Sequence, residues 1–166
     1  MKKYLLTALL ILTIILWGGS KIDLNGSRTE GCPFCQTSVL ERQLVYRGPH
    51  ASILATHKPA ISGHLLIIPN RHVETFDLLS TEEIIEIGDL VKRVHKVYVD
   101  QFDTTQYLLL QKNGRLAGQT VPHVHVHLLP RTENMSQFEF IIRFLLSSWL
   151  KPLSDEEMMA YKSMFQ

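Results

Sequence analysis

Three histidines occupy every second position in the segment PHVHVHLLPR: His123, His125 and His127. Alternation of this kind is typical of a half-buried β-strand, because successive side chains of a strand point to opposite faces. The three imidazoles are therefore predicted to share one face, while Val124 and Val126 face the core. An imidazole with an unperturbed pKa of about 6.5 is a nucleophile or a proton carrier near neutral pH. The row is predicted to perform that kind of chemistry.

The spacing of the row limits its use as a metal site. Neighbouring histidines of a strand lie about 6.6 Å apart, so the outer pair is about 13 Å apart. Zinc binds imidazole nitrogens at about 2.0 to 2.1 Å, and the outer pair cannot easily meet on one ion. One or two of the three histidines could be metal ligands. Because all three cannot bind one ion, the row must have a second role. A solvent-facing strand that happens to be histidine-rich is disfavoured, because three of the eight histidines stand in strict register.

Cys32 and Cys35, in the segment CPFC, are the only cysteines and have the spacing of metal ligands or of a redox pair. A glutaredoxin-type redox pair needs a helix N-terminus after a strand to lower a thiol pKa, whereas the following QTSVLERQLVYRG indicates a hairpin. A disulfide between the two cysteines stays open, because an exported domain meets an oxidising compartment.

Several predicted elements position these residues. Strands are expected at 44–48, 50–58, 63–70 and 105–112, with the histidine segment as a fifth. Ser80 and Glu83 form a capping box that begins a long helix, and residues 137–150 and a short helix after Ser154 follow. Few connections are long enough for parallel pairing, which predicts an α+β fold with an antiparallel sheet. The apolar stripe of the long helix is expected to consist of Ile84, Ile87, Val91, Val94, Tyr98 and Phe102.

The chain of 166 residues is long enough for one domain, and its net charge of +1 gives no reason to expect a nucleic-acid partner. Residues 1–20, MKKYLLTALLILTIILWGGS, have the charged, apolar and small-residue regions of a signal peptide or membrane anchor. Residues 21–31 are interpreted as a tether and 32–166 as the folded domain. Lysines before the apolar run predict an exported or membrane-anchored domain on the non-cytoplasmic side.

Four segments resemble the histidine triad (HIT) family: PHVHVHLLPR, the preceding AGQT, GHLLIIPNRHVETFDLLSTEE and CPFC. The resemblance covers about residues 32–131. The wording AGQTVPHVHVHLLPR is closer to the fragile-histidine-triad branch of dinucleoside polyphosphate hydrolases than to the phosphoramidase branch. It implies a HIT-like α+β fold, with a five-stranded antiparallel sheet, a long helix and a C-terminal helical segment.

The resemblance also implies a reaction at the α-phosphate of dinucleoside polyphosphates or nucleoside phosphoramidates. His125 would attack the phosphorus and form a covalent nucleotidyl-histidine. His127 would stabilise phosphate charge, and Thr120 would lie near the leaving group. Two positions differ from the family pattern: Lys112 replaces an amide, and Thr56 replaces a ribose-contacting Asn or Asp. The phosphate-contacting residues would be His64, Gln119, Lys112 and Asn113.

The family further implies a closed structural zinc site, while the chemical step itself would need no cofactor. It also implies a homodimer, and residues 1–20, if uncleaved, would add a membrane contact. A non-catalytic nucleotide- or zinc-binding module is the alternative function, and hydrolysis by a catalytic zinc on two triad histidines is a third. His50, His57 and Lys58 are interpreted as turn residues, and His95 as a surface residue of the long helix. The implied zinc ligands are Cys32, Cys35, His72 and His123.

Overall fold

The computed structural model of the chain describes residues 31–165. The predicted signal or anchor at 1–20, and all of the predicted tether except Gly31, lie outside the described residues. Five strands form one antiparallel sheet in the order β1-β2-β3-β5-β4, which confirms the predicted α+β fold. The strands are β1 Leu44–Arg47, β2 Ala51–Ala55, β3 Leu65–Pro69, β4 Tyr107–Gln111 and β5 Val126–Pro130.

Four α-helices accompany the sheet: α1 Thr37–Gln43, α2 Thr81–Phe102, α3 Gln137–Leu145 and α4 Asp155–Ser163. The predicted capping boxes are present at the start of α2, with Ser80 and Glu83, and at the start of α4, with Ser154 and Glu157. Each serine hydroxyl accepts a backbone N–H that would otherwise lack a partner, and the glutamate returns the interaction. Both helices therefore begin where local sequence chemistry predicts.

The two faces of the sheet have different coverings. On one face, Ile53, Ile67 and Val126 pack with α2 and α4 in the main core. On the opposite face, Leu54, Leu66 and His127 occupy neighbouring strands in one row. There Leu54 and Leu66 pack against Phe34 and against Leu40 of α1. The second face is only partly covered, and the remaining space beside His127 becomes the cavity described below.

The buried stripe of α2 differs from the predicted one. Ile84 is 43% exposed, whereas Leu90 and Val97 are buried. At 100° per residue, Ile84 lies about 90° from the centre of the buried face of α2. Its place at the start of the apolar pattern therefore did not predict its exposure. The predicted members Ile87, Val94 and Tyr98 are buried, and Val91 and Phe102 pack against the core.

Two other elements correct the sequence prediction. The segment after the cysteines forms helix α1 before the chain enters β1, where only a hairpin was expected. The histidine strand begins at Val126, so His123 and His125 precede it. The reason is tertiary: β3 pairs with β5 only as far as Val126, and Val124 donates its N–H to Val73 outside the sheet. Within residues 31–165, none of the helices has the length and apolar character needed to cross a membrane.

Candidate active site

The alternation of the histidine segment is present in the structure. Val124, Val126 and Leu128 are buried at 0 to 2% exposure in the main core. His125 and His127 point the other way and line a cavity of about 830 Å³, with their ring centroids 5.0 Å apart. The row is not uniform, because the His123 side chain is fully buried and contacts the cysteines instead.

One hydrogen bond determines the tautomer of His125. Its Nδ1 lies 2.6 Å from the carbonyl oxygen of His123. A carbonyl oxygen only accepts, so Nδ1 carries the proton and the lone pair of the neutral ring is on Nε2. Burial lowers the pKa of His125 below its usual value, and the positive charge of Lys112 adds to the effect. The ring is therefore held neutral, with one nucleophilic nitrogen.

His127 has the opposite arrangement, which follows from a chain of two hydrogen bonds. The Ala60 N–H donates to Nδ1 of His64 at 3.2 Å, so the proton of His64 is on Nε2. That Nε2–H donates to Nδ1 of His127 at 3.0 Å, and His127 consequently carries its proton on Nε2. Burial lowers the pKa of His64 to about 3 and that of His127 to about 2. His127 is thus a neutral hydrogen-bond donor beside the nucleophilic nitrogen of His125.

Two phenylalanines form the walls beside these rings. The Phe34 ring centroid lies 5.4 Å from that of His125, and Phe144 lies 5.4 Å from His127. Both rings line the cavity, as does Lys112, whose ammonium is 5.3 Å from the centre of the Phe144 ring. Thr120 also lines the cavity and is exposed. The histidines are thus flanked by aromatic rings, and an ammonium and a hydroxyl line the same cavity.

Three residues with predicted phosphate contacts do not line the cavity. The Gln119 amide accepts the Gly114 N–H at 2.6 Å and donates to the Glu74 carbonyl at 2.8 Å, so its polar atoms hold the loop. The Asn113 oxygen accepts the Phe76 N–H. His64 is 1% exposed and contacts His127 and Phe144, which both line the cavity. The structure therefore places these three in supporting positions, and brings Lys112, Thr120, His125 and His127 together at the surface of the cavity.

Sequence reasoning missed part of the lining. Arg42 belongs to helix α1, which was not predicted, while His57 and Lys58 were interpreted as turn residues. All three line the same cavity as His125 and His127. Their signal in the sequence was the position of His57 and Lys58 directly after strand β2, shortly before the GH segment. Phe144 had no local signal, because helix α3 reaches the cavity only through the tertiary fold.

The four predicted zinc ligands lie together at the other end of the histidine segment. The Sγ of Cys32 is 3.4 Å from Nδ1 of His123, and the Sγ of Cys35 is 3.3 Å from Nδ1 of His72. All four donor atoms lie within 4.8 Å of one another. A tetrahedral zinc ion with the usual bond lengths separates neighbouring sulfur and nitrogen ligands by about 3.3 to 3.8 Å. The donor set therefore has the types and separations that a tetrahedral ion of this kind requires.

The surroundings of the cluster favour a metal over redox chemistry. Nε2 of His123 donates to the Pro69 carbonyl at 3.1 Å, which directs the lone pair of Nδ1 toward the sulfur atoms. Cys32 and Cys35 are free thiols. Burial raises the pKa of Cys32 to about 11, whereas a redox-active cysteine requires a lowered thiol pKa. Although helix α1 does follow the pair, contrary to the sequence prediction, it does not give Cys32 a reactive thiolate.

The fold and the histidine segment define a histidine triad protein, and the comparisons agree. Residues 37–134 match the HIT domain. The chain is 33% identical over 104 residues to an uncharacterized HIT-like protein of Methanocaldococcus jannaschii, covering 61% of this chain and 80% of that protein. This chain belongs to the HIT family.

Two named enzymes of fission yeast, Schizosaccharomyces pombe, are also similar. The asymmetrical bis(5'-nucleosyl)-tetraphosphatase is 36% identical over 89 residues, covering 54% of this chain and 49% of the enzyme. The adenosine 5'-monophosphoramidase hnt1 is 41% identical over 73 residues, covering 44% and 52%. This chain thus spans about half the length of both enzymes, and a quarter of a nitrilase and fragile histidine triad fusion protein from Caenorhabditis elegans.

Two solved structures share the fold. A diadenosine triphosphate hydrolase of Plasmodium falciparum has a TM-score of 0.55 and 28% identity, with 66% of this chain and 76% of that chain covered. A Zn-bound histidine triad family protein of Mycobacterium smegmatis has a TM-score of 0.63 and 18% identity, with 82% and 94% covered. At that identity the second comparison shows the fold alone.

The comparisons contradict the predicted location. The two yeast relatives are named for reactions of nucleotides, and neither is named as an exported or membrane protein. The prediction of an exported or membrane-anchored domain is therefore wrong. Its basis was an apolar run of 14 residues, and a run that falls short of the roughly 20 needed to span a bilayer is a weak indicator. The alternative of a Cys32–Cys35 disulfide loses the oxidising compartment on which it depended.

Proposed function

We propose that this chain is a nucleotide hydrolase or nucleotidyl transferase that reacts at the α-phosphate of dinucleoside polyphosphates or nucleoside phosphoramidates. The observation that carries the proposal is the hydrogen bond from Nδ1 of His125 to the His123 carbonyl. It leaves the lone pair on Nε2 of a neutral ring at the cavity wall, which is the form of imidazole that can attack phosphorus. The names of the yeast relatives, a tetraphosphatase and a phosphoramidase, support the same class of reaction.

The reaction has two balanced steps. Nε2 of His125 forms a bond to the α-phosphorus, and the bond from phosphorus to the leaving group breaks, so its electron pair departs with that group. Water then attacks the same phosphorus and releases one proton to solvent, the bond to Nε2 breaks with its electron pair returning to the ring, and the nucleoside monophosphate is released. A nucleotide acceptor in place of water would give nucleotidyl transfer.

His127 and Lys112 assist by charge and position. The Nε2–H of His127 is fixed as a donor by His64, and a donor at this place can bind a phosphate oxygen as negative charge develops. The ammonium of Lys112 lines the same cavity and acts as a point charge toward phosphate. Thr120 offers a hydroxyl to the leaving-group oxygen from the loop between β4 and β5. These side chains stabilise the transition state, while His125 forms the covalent bond.

The test is incubation of the full chain with diadenosine triphosphate and, separately, with adenosine 5'-phosphoramidate, with AMP as the measured product. We expect turnover of at least one substrate, and a loss of about 10⁴-fold or more in the His125→Ala variant, because the nucleophile is absent. Radioactive nucleotide should label the wild type in an acid-labile bond, and not the variant. Tight nucleotide binding without AMP would identify the non-catalytic module instead, and equal activity in His125→Ala would overturn the mechanism.

We also propose that Cys32, Cys35, His72 and His123 hold a structural zinc ion. Support comes from the donor types, from their separations and from the His123 hydrogen bond to Pro69. When bound, the ion would join the cysteine loop to the histidine segment. Metal analysis of the purified chain should give about one zinc per chain, and Cys32→Ser should reduce that content. Full zinc content in Cys32→Ser would contradict this site.

We infer that the folded domain extends over residues 32–166, beyond the 37–134 matched by the family. Cys32 joins the metal cluster at one end. At the other end, the Tyr161 hydroxyl accepts the Gly63 N–H at 2.7 Å, and Met158 and Tyr161 are part of the main core. Limited proteolysis should leave a resistant fragment with both ends intact. Rapid removal of residues 150–165 would contradict this boundary.

We propose a homodimer through the β4 edge of the sheet. Within the described part of the chain β4 pairs only with β5, and Tyr107 and Leu109 on it are exposed apolar side chains. An edge strand with free backbone groups and apolar side chains favours pairing with a second copy. Leu109→Glu should convert a dimer to a monomer in sedimentation experiments, while Ile85→Glu on the outer side of α2 should not. A monomeric wild type would end this proposal.

A further inference from the structure

A group of basic side chains lies in the cavity away from the triad. Arg42 of α1, together with His57 and Lys58 after β2, lines the same cavity as His125 and His127. Among the described residues, the cavity is lined by no aspartate or glutamate. The whole chain has a net charge of only +1, so a cavity lined by three lysines and arginines, counting Lys112, and by no acid is a local feature that favours an anionic ligand.

The group is separated from the reacting histidines by the width of two strand spacings. Thr56 continues from β2 and donates its N–H to the His64 carbonyl beside β3. β5, which carries His127, is the next strand in the sheet. With neighbouring strands about 4.8 Å apart, His57 and Lys58 begin on the order of 10 Å from His127. That backbone separation leaves room for two phosphate groups of one nucleotide.

Thr56 provides an independent indication of a ligand. Its Oγ1 atom is buried and has no hydrogen-bond partner among residues 31–165. Thr56 also lines the cavity, next in sequence to the basic group. A buried hydroxyl without a partner costs about 1 to 3 kcal/mol, and such a cost is usually found where a partner arrives with a ligand. Thr56 therefore offers a hydroxyl to a ligand in this cavity, beside the basic group.

Existing contacts orient Arg42 and His57 of the basic group. Arg42 donates to the Leu153 carbonyl at 2.8 Å and pairs with Asp155 at 3.2 Å. Asp155 is 89% exposed, and an exposed pair of this kind contributes little. Arg42 also lies 3.4 Å from Nδ1 of His57. Burial, followed by the charges of Arg42 and Lys58, lowers the pKa of His57, as expected where positive charge is concentrated.

We propose that Arg42, His57 and Lys58 form a second anion subsite, which binds a phosphate group of the substrate other than the one attacked by His125. The inference rests on the proposed function and narrows its substrate class to nucleotides with at least two separated phosphate groups. The second phosphate can be on the sugar or farther along the phosphate chain. Thr56 then supplies a hydroxyl to the part of the nucleotide that joins the two subsites.

The experiment measures nucleotide binding by calorimetry on the full chain carrying His125→Ala, so that no ligand is consumed. The ligands are AMP, adenosine 3',5'-bisphosphate and ATP. We expect the bisphosphate or ATP to bind about tenfold more tightly than AMP. Tighter binding of the bisphosphate than of AMP assigns the second phosphate to the sugar, and tighter binding of ATP assigns it to the phosphate chain of the nucleotide. If neither gains over AMP, the subsite does not exist.

Substitutions then locate the gain. Lys58→Gln and Arg42→Gln, each added to His125→Ala, should remove most of the tenfold advantage and leave AMP affinity within about twofold. Arg47→Gln is the matched control, because Arg47 is an exposed strand residue that does not line the cavity. An equal loss in the control, or an equal loss for AMP, would mean general electrostatic attraction and would overturn the subsite. Thermal unfolding of each variant checks the fold, since Arg42 also binds Leu153.

A substitution with the opposite sign separates a binding role from a structural one. Asp155→Asn removes the acid beside Arg42, and we expect the doubly phosphorylated nucleotide to bind about twofold more tightly, with AMP unchanged. Weaker or unchanged binding would contradict the subsite. The outcome is independent of catalysis. If the wild type binds AMP without turnover, the proposed function is overturned and the subsite is unaffected. If the wild type turns over substrate but the doubly phosphorylated nucleotide binds no more tightly than AMP, the subsite is overturned and the proposed function is unaffected.

Discussion

The two ends of the segment His123–His127 use the same side chain for different purposes. His123 is fully buried, donates through Nε2 to the Pro69 carbonyl and directs Nδ1 to the cysteines. His125, two residues later, donates through Nδ1 to the His123 carbonyl and keeps its lone pair on Nε2 at the cavity. The ring nitrogen that a backbone carbonyl binds thus decides which nitrogen can react. Position in a motif is a weaker guide to the role of a histidine than its partner.

The CPFC loop connects the two ends. Cys32 and Cys35 contribute to the metal cluster, while Phe34 between them packs 5.8 Å from the His123 ring and 5.4 Å from the His125 ring. Phe34 also lines the cavity. The metal end and the cavity end therefore share one loop as well as one strand segment. If the comparison is right, substitutions at the cavity end change activity and those at the metal end change stability.

After the loss of the nucleophile in His125→Ala, the largest expected effect is also at the cavity end. His127→Ala removes the neutral donor beside His125, and loss of one such donor costs about 10² to 10³ in kcat. We expect that reduction in AMP formation, with zinc content and thermal unfolding unchanged within a few degrees. Loss of zinc in this variant would show that the two ends are not separate. His127→Gln, which retains an N–H donor, is the matched comparison and should keep more activity than the alanine variant.

Next in size is removal of the metal. Chelation, or Cys32→Ser, is expected to lower the free energy of unfolding by about 3 kcal/mol, because an ion that binds only the folded chain stabilises it. For a domain of this size that corresponds to a fall of about 6 to 12 °C in Tm. Chelator added to Cys32→Ser should cause no further change. An unchanged Tm in both experiments would show that the metal does not stabilise the fold.

Acid should destabilise the cavity end through its buried neutral histidines. The pKa of His64 is lowered to about 3 and that of His127 to about 2. A lowered folded-state pKa gives stability that is present above the unfolded pKa of about 6.5 and is lost as pH falls toward the folded value. Each group should cost about 2 kcal/mol between pH 7 and pH 5.

His64→Gln isolates this contribution. Glutamine can still donate to Nδ1 of His127, but it does not titrate. Denaturant unfolding at pH 7 and pH 5 should show a loss smaller by about 2 kcal/mol in the variant than in the wild type. His95→Gln, at a partly exposed position of α2, is the control and should resemble the wild type. The same pH dependence in all three proteins would refute the assignment.

The smallest predicted effect concerns Thr56. Thr56→Val removes a buried hydroxyl that has no partner in the described part of the chain, and we expect about 1 kcal/mol of added stability. Nucleotide affinity should fall in the same variant. Thr37→Val is the control at an exposed helix position and should change neither. A fall in stability in Thr56→Val would mean that the hydroxyl already has a partner in the free protein.

Much of the fold was encoded locally and was predictable. The capping boxes at Ser80 and Ser154 involve residues three apart, and the buried Val124, Val126 and Leu128 follow a period of two. Such patterns are set by backbone geometry within a few residues. Partners that lie elsewhere in the fold are not encoded in this way. Gln119 belongs to the segment AGQT that resembles the family, and Asn113 follows Lys112, which replaces the family's amide. Their side-chain oxygens accept the backbone N–H groups of Gly114 and Phe76, contacts that local periodicity does not predict.

By itself, the sequence determined the family, the antiparallel α+β fold, the helix starts and the alternation that separates core from cavity. The tertiary structure decided which histidine faces the cysteines, which tautomer each ring adopts and that Arg42 meets His57 and Lys58 in the cavity. The reason is the separation along the chain: Cys32 and His123 are 91 residues apart. Local periodicity orients a side chain toward a face, but only the packing of remote segments provides the atom that it meets there.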